Sequence, residues 1–230
     1  PYWDLKNYNN SEQIGFKQTY AEYLFDLKKI FNQCLKVLKD DGSIWININT
    51  RKINGVFYNI PFDIIKIFTE LGTENFENII WHKSSGIPSQ NNNLVDKFEY
   101  ILGFKKKNKL EVKVFETLKS DYKFNIKTSN LDIWNINRPS GSIAKGVPHP
   151  AMYPINLPRR IIKRFSSEAD KILDPFLGSG STIAAAIIEG RDSCGYELNK
   201  EYKKIMNIQF EKILNEIALN KKVSHKISFI

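Results

Sequence analysis

A glycine-rich loop at residues 174–182 is the part of this sequence whose residue types and spacing most directly suggest chemistry. It follows a predicted strand (171–174) and opens a predicted helix (181–189). Glycines let a ligand approach the backbone closely, and a helix N-terminus offers free N–H groups to a carboxylate. Glu197 ends the next predicted strand, 23 residues after Asp174. A carboxylate at this place can accept hydrogen bonds from both hydroxyls of a ribose. This βαβ pattern predicts a nucleoside-cofactor site.

The same segment excludes several other cofactor sites. It lacks the GxGxxG pattern that favours NAD, and the chain lacks the GxxxxGK[ST] pattern of a P-loop NTPase. Cys34 and Cys194 lie in apolar stretches without CxxC spacing, so we expect neither a disulfide framework nor a metal site. Neither cysteine follows a proline, so nothing resembles a Pro-Cys nucleophile.

Composition indicates a globular protein with a basic net charge. Hydrophobic residues make up 42% of the 230 residues, and 34 Lys+Arg against 25 Asp+Glu give a formal net charge of +9. That charge fits a polyanionic partner such as nucleic acid, but it also fits the ordinary surface of a protein from an AT-rich genome. No apolar run is long enough to span a bilayer and no signal peptide opens the chain, so we expect a soluble, cytoplasmic protein without membrane contact.

The elements that must position the loop follow from hydrophobic periodicity. The predicted helices cover Thr19–Leu38, the stretch from Pro61 to near Gly72, 157–165, 181–189 and the chain from Lys200. The predicted strands cover 43–48, 76–82, 98–104, 171–174 and 193–197. Residues 105–147 begin with three lysines, lose clear periodicity and end in a Ser/Gly/Pro stretch. They are interpreted either as a linker or as a small inserted lobe, and their scattered apolar residues favour partial order.

Residues 174–182 (DPFLGSGST) resemble the cofactor signature of DNA methyltransferases that methylate exocyclic amines. Residues 195–199 are similar to the second cofactor motif of that family, and 149–154 to the segment before its signature. The resemblance implies S-adenosyl-L-methionine as cofactor. It assigns Ser181 and Thr182 to the cofactor carboxylate and Glu197 to its ribose. The full set of implied cofactor-binding residues is Tyr153, Pro154, Asp174, Phe176, Gly178, Ser179, Gly180, Ser181, Thr182, Glu197 and Leu198. For Tyr153 and Pro154 a packing role is as good an interpretation.

Pro1-Tyr2-Trp3 resembles the end of the [SDN]-P-P-Y motif of the same family, and residues 79–83 and 98–101 resemble its later motifs. An exocyclic amine is a poor nucleophile because its lone pair is delocalised into the ring. A site can help by accepting hydrogen bonds from the amine protons and by stacking on the extruded base. By resemblance, the catalytic residues are Pro1 and Tyr2, with Tyr2 stacking on the base. This transfer requires no metal.

The chain opens without an initiator Met, and the acceptor residue and first proline of that motif are absent from it. We therefore expect the sequence to begin inside a longer protein, and the polypeptide as printed to bind cofactor but methylate poorly. An inactive cofactor- or DNA-binding protein is the alternative, which the upstream coding sequence would test. RNA is a third substrate hypothesis.

Motif order, with the catalytic motif before the cofactor motif, resembles the β arrangement of the family. It implies a Rossmann-like fold with a mixed, mostly parallel sheet and helices on both faces. Residues 1–104 would form the catalytic half, 105–147 a target-recognition insertion and 148–230 the cofactor half. Double-stranded DNA is the expected partner, and a second subunit in a homodimer could add DNA contacts. The predicted DNA-binding residues are Trp3, Lys83, Lys105, Lys106 and Lys107, although such lysine runs are often only solvated.

The resemblance leaves the target base open. The Trp3 context resembles motifs with Ser before the prolines, which favours cytosine N4, while adenine N6 is the alternative. It also implies a prokaryotic, archaeal or phage protein of a restriction-modification system. The recognition sequence does not follow from these residues.

Overall fold

The computed structural model describes residues 1–4, 10, 12–83, 97–115, 132–137 and 153–220, the last five as backbone only. The chain divides into two compact units. The first comprises Pro1–Asn7 and Glu12–Arg138, and the second comprises Tyr8–Ser11 and Pro139–Ile230.

The described residues of the first unit form two helices and six strands. In chain order they are α1 (Tyr20–Val37), β1 (Ser43–Ile48), β2 (Arg51–Ile53), β3 (Val56–Tyr58), α2 (Ile60–Glu70), β4 (Thr73–His82), β5 (Phe98–Lys106) and β6 (Ile133–Asn135). Four strands form a sheet in the order β1-β5-β4-β6. Strand β5 runs antiparallel to both neighbours, whereas β6 runs parallel to β4. The predicted mixed α/β architecture is confirmed.

Local signals explain where both helices of this unit begin. Thr19 and Glu22 form a capping box at the start of α1, so two otherwise unpaired N–H groups are satisfied. The buried residues of α1 recur every four positions, at Tyr23, Leu27, Phe31 and Leu35. Helix α2 carries proline in its first turn. Its Phe68 stacks on Phe104 of β5 with ring centroids 4.0 Å apart, which joins helix and sheet in one core.

A hairpin formed by β2 and β3 was not among the predicted elements. Asn54 and Gly55 connect the strands, and both have positive φ angles, 49° and 84°. Two consecutive left-handed residues are the geometry of a type I′ turn, for which Asn-Gly is the preferred sequence.

The second unit contains the predicted βαβ segment. Its elements are α3 (Asn156–Phe165), β7 (Lys171–Asp174), α4 (Ser181–Ile188), β8 (Asp192–Gly195) and α5 (Tyr202–Asn220). Strands β7 and β8 are parallel, and Asp174 lies opposite Gly195. Three consecutive alanines of α4 are fully buried, and α5 packs on α4 through Ile205, Met206 and Phe210. The last strand ends two residues earlier than predicted, so Glu197 follows it.

Among the described residues, no helix is long and apolar enough to cross a membrane. Neither Cys34 nor Cys194 forms a disulfide. The lysine run predicted to open the insertion begins inside the sheet, since β5 extends to Lys106.

Candidate active site

The loop after β7 is held by hydrogen bonds at the carboxyl ends of β7 and β8. The buried Asp174 carboxylate accepts from the Phe176 N–H at 2.9 Å. The backbone of Tyr196 forms two hydrogen bonds to this segment. The Tyr196 N–H donates to the Asp174 carbonyl, and the Tyr196 carbonyl accepts from the Leu177 N–H, both at 2.9 Å. The main chain therefore fixes the loop that the sequence singled out.

Gly180 is required by both backbone conformation and packing. It caps the N-terminus of α4 with φ at 85°, in the left-handed region. A Cβ at this position would lie 2.7 Å from Phe210 Cζ and 3.1 Å from Met206 Cγ, both on α5. Gly178 also has a positive φ, 54°. The two glycines let the loop turn tightly into α4.

Gly180→Ala is expected to lower the free energy of unfolding by about 2–4 kcal/mol, since left-handed strain and overpacking each cost about 1–3 kcal/mol. Gly190→Ala is the matched control, because Gly190 has φ at 72° but open space around its Cα. It should cost only about 1 kcal/mol. Urea denaturation of both variants measures the difference, and equal losses would contradict a packing role for Gly180.

Glu197 lies beside this loop and binds its backbone. One carboxylate oxygen accepts from the Gly178 N–H at 2.6 Å, and the other from the Asn199 N–H at 2.8 Å. Each oxygen keeps a further lone pair for another donor. A carboxylate held in this way can accept hydrogen bonds from ligand hydroxyls next to a glycine backbone.

Tyr153 ties the start of α4 to the end of β7. Its hydroxyl lies 2.6 Å from Thr182 Oγ1 and donates to Asp174 at 3.4 Å, while its carbonyl accepts from the Ser181 hydroxyl at 3.1 Å. Burial and the charge of Asp174 raise the pKa of the Tyr153 hydroxyl, which therefore remains a proton donor. The structure thus brings together Tyr153, Asp174, Ser181 and Thr182 by direct contact.

The other predicted cofactor-binding residues lie close to this cluster along the chain, and their side chains differ in solvent exposure. Pro154 and Ser179 are buried, and Ser179 Oγ lies 3.4 Å from Ser181 Oγ. Phe176 is half-buried, whereas Leu198 is 56% exposed. The groups of this region that can bind a ligand are therefore the Glu197 carboxylate, the backbone of the glycine loop and the first turn of α4.

In the first unit, Pro1 and Tyr2 are held at several points. The Tyr23 hydroxyl of α1 donates to the Pro1 carbonyl at 2.9 Å, and the Tyr2 hydroxyl donates to a Glu99 oxygen at 2.8 Å. The Gly15 backbone packs closely against this segment, since a Cβ at Gly15 would lie 3.2 Å from the Tyr2 carbonyl oxygen. The segment predicted to be catalytic is therefore a fixed part of this unit.

Trp3 and Lys83 do not occupy the positions expected of DNA-binding residues. Trp3 is 8% exposed, donates its indole N–H to the Gln18 carbonyl, and packs against the rings of Tyr20 and Tyr58. Lys83 is 1% exposed and donates to Glu99 at 2.9 Å. Both side chains face the interior, and contact of either with DNA stays a prediction.

Two of the three lysines after Phe104 are paired with acidic residues. Lys105 contacts Glu111 at 2.7 Å, and Lys106 contacts Asp40 at 3.3 Å. Lys107 is exposed. The two pairings leave Lys107 as the member of this run best suited to a phosphate contact.

Sequence reasoning did not single out Glu99 and Asn47 as site residues. Both contact the Tyr2 hydroxyl, and Glu99 also binds Lys83. Two signals were available: Glu99 lies within residues 98–101, which resemble a later motif of the family, and both residues are polar side chains within largely apolar strands, β1 and β5. In the described segments no cluster of three or more His, Cys, Asp or Glu side chains could hold a metal ion.

Comparison with known proteins adds to this geometry. A type II methyltransferase of Methanocaldococcus jannaschii is 34% identical over 196 residues, which cover 78% of this chain and 65% of that protein. A candidate DNA modification methylase from Thermus thermophilus, solved with S-adenosyl-L-methionine, superposes with a TM-score of 0.67 at 25% identity, covering 93% of this chain and 83% of that one. The cytosine-N4-specific PvuII DNA methyltransferase shares the fold, with a TM-score of 0.72 at 21% identity over 88% of this chain and 80% of its own.

The chain thus spans about two thirds of its archaeal relative's length. The family model for N6/N4 methyltransferases, described as DNA methylase, matches residues 1–208. That match covers both the Pro1-Tyr2 segment and the glycine loop with Glu197, and by it the chain belongs to the N6/N4 DNA methylase family.

Proposed function

We propose that this protein transfers a methyl group from S-adenosyl-L-methionine to an exocyclic amine of a base flipped out of duplex DNA. The observation that carries the proposal is the Glu197 carboxylate bound to the Gly178 N–H, 2.6 Å apart, in a loop that opens α4. An acid, a glycine backbone and a helix N-terminus together suit the ribose and the carboxylate of this cofactor.

The residues of the second unit fit that cofactor by their chemistry. Glu197 would accept hydrogen bonds from the ribose hydroxyls with the lone pairs that its two backbone bonds leave over. The N–H groups at the start of α4 would bind the carboxylate, with Ser181 and Thr182 held in place by Tyr153. The bound cofactor supplies an electrophilic methyl group on a sulfonium centre.

In the first unit, Tyr2 would stack on the extruded base, and Pro1 would fix the backbone before it. Stacking on an aromatic ring offsets part of the cost of unstacking the base from the duplex. Positioning the amine in line with the methyl group then supplies much of the acceleration, because two reactants are held in one geometry. Phosphate contact by the exposed Lys107 would add affinity that falls with salt.

Within this activity we favour cytosine N4 over adenine N6. Support comes from the Pro1-Tyr2-Trp3 segment, whose tryptophan resembles the context of Ser-type motifs in the family. Trp3 packs against the rings of Tyr20 and Tyr58, so it would influence the pocket through its chain neighbour Tyr2.

The test is methylation of mixed-sequence duplex DNA by the full-length protein with labelled S-adenosyl-L-methionine, followed by nucleoside mass spectrometry. We expect N4-methylcytosine. N6-methyladenine would keep the reaction class and overturn the target base. No methylated nucleoside in DNA, together with calorimetric binding of the cofactor, would overturn the proposal, and parallel reactions with RNA would then separate an RNA methyltransferase from a non-catalytic protein.

A further inference from the structure

The Tyr2 hydroxyl belongs to a partly buried polar network built from three adjacent strands. Glu99 is the second residue of β5, Asn47 lies on β1, and Lys83 directly follows β4. One Glu99 oxygen accepts from the Tyr2 hydroxyl at 2.8 Å and from the Asn47 amide at 2.7 Å. The other accepts from Lys83 at 2.9 Å. The neighbouring strands of the sheet therefore converge on the end of one tyrosine ring.

This network has a cost in stability, which indicates a role other than stabilisation. The Lys83 and Glu99 side chains are 1% and 12% exposed, and a buried ion pair usually does little more than offset its desolvation. Asn47 Oδ1 is buried without a hydrogen-bond partner among the described residues, which is also unfavourable. Apolar side chains of similar size would fill this space at no greater cost.

We infer that Glu99 is a positioning residue that fixes the direction of the Tyr2 ring axis for stacking on the extruded base, with Lys83 and Asn47 holding Glu99 in place. The inference deepens the proposed function and rests on it. The backbone at Tyr2 is fixed by the Tyr23 bond to Pro1 and by Gly15. The ring as a whole could still swing about the Cα–Cβ bond, and the bond from its hydroxyl to Glu99 removes that freedom because it fixes the far end of the ring axis. A ring held at both ends already points in one direction before the base arrives, which lowers the entropic cost of stacking.

A double-mutant cycle of Tyr2→Phe and Glu99→Gln tests this role on a duplex that the protein methylates. Each change should lower the single-turnover rate of methylation on the order of tenfold, because misplacement of a reacting group is costly. S-adenosyl-L-methionine affinity should not change. The pair should be no slower than the slower single variant, because both remove the same constraint. Glu74→Gln, which changes the Glu74–Lys105 contact near the other end of β5, should keep the full rate.

A second readout uses 2-aminopurine at the target base, whose fluorescence reports how the flipped base is stacked. Tyr2→Phe and Glu99→Gln should change the emission of the bound duplex in the same way, and the double variant should add nothing. Because Tyr2→Phe removes only one hydroxyl and leaves the Lys83–Glu99 pair intact, it keeps the test valid if Glu99→Gln fails to fold.

Additive losses of rate in the double variant, or full rates in both single variants, would overturn the positioning role and leave the proposed function standing. Absence of methylation by the unaltered full-length protein would overturn the proposed function, and the positioning role with it.

Discussion

Replacing Glu197 with alanine is expected to raise the Kd for S-adenosyl-L-methionine on the order of tenfold to a hundredfold, the range for losing charge-assisted hydrogen bonds to a bound ligand. Two effects contribute. The ribose hydroxyls lose their acceptor, and the Gly178 N–H loses the carboxylate that holds it at 2.6 Å. Isothermal titration calorimetry of the cofactor, without DNA, measures the change apart from catalysis.

Two further variants separate these effects. Glu197→Gln keeps an acceptor oxygen for the loop but lacks the charge, so its Kd should lie between those of the unaltered protein and Glu197→Ala. Glu201→Ala removes a neighbouring exposed carboxylate and should leave the Kd unchanged. Unchanged affinity in Glu197→Ala would remove Glu197 from the cofactor site and weaken the assignment of the whole loop.

The glycine loop could be predicted from the sequence because its determinants are local. A strand, two glycines that need positive φ and a helix start lie within a few residues of one another, and each has a characteristic pattern. The predicted strand at 171–174 agrees with β7, and α4 begins at the predicted Ser181. The contact between Glu197 and Gly178 follows from the same pattern, because parallel strands bring both to one sheet edge.

The hairpin of β2 and β3 was equally local, and the Asn54-Gly55 pair was its visible signal. It was missed because each strand has only three residues, too few for alternation to stand out.

The environment of Lys83 could not be predicted in this way. Its partner Glu99 is 16 residues away, on β5, which pairs with β4 in a register that brings His82 opposite Phe98. A single sequence does not encode that register, so the burial of Lys83 against Glu99 was not predicted. The burial of Trp3 was not predicted for the same reason, because its neighbours Tyr20 and Tyr58 belong to other elements.

The buried position of Lys83 leads to a large expected effect on stability. Lys83→Met should lower the free energy of unfolding by about 3–5 kcal/mol, since it leaves the Glu99 carboxylate buried without its cation. Lys83→Met combined with Glu99→Gln should recover most of the loss, because neither partner then carries an unpaired charge. The exposed Lys107 provides the control, and Lys107→Met should remain within about 0.5 kcal/mol of the unaltered protein.

Salt dependence of DNA binding distinguishes the buried lysine from the exposed one. If Lys107 contacts a phosphate, Lys107→Met should reduce the slope of log Kd against log salt by about 1. The double variant of Lys83 and Glu99 should retain the original slope, because a lysine that is 1% exposed releases no counterion from DNA. The opposite pattern would be full stability in Lys83→Met together with a reduced salt slope in the double variant of Lys83 and Glu99. That result would place Lys83 on the DNA and would disprove the ion pair on which the Tyr2 network depends.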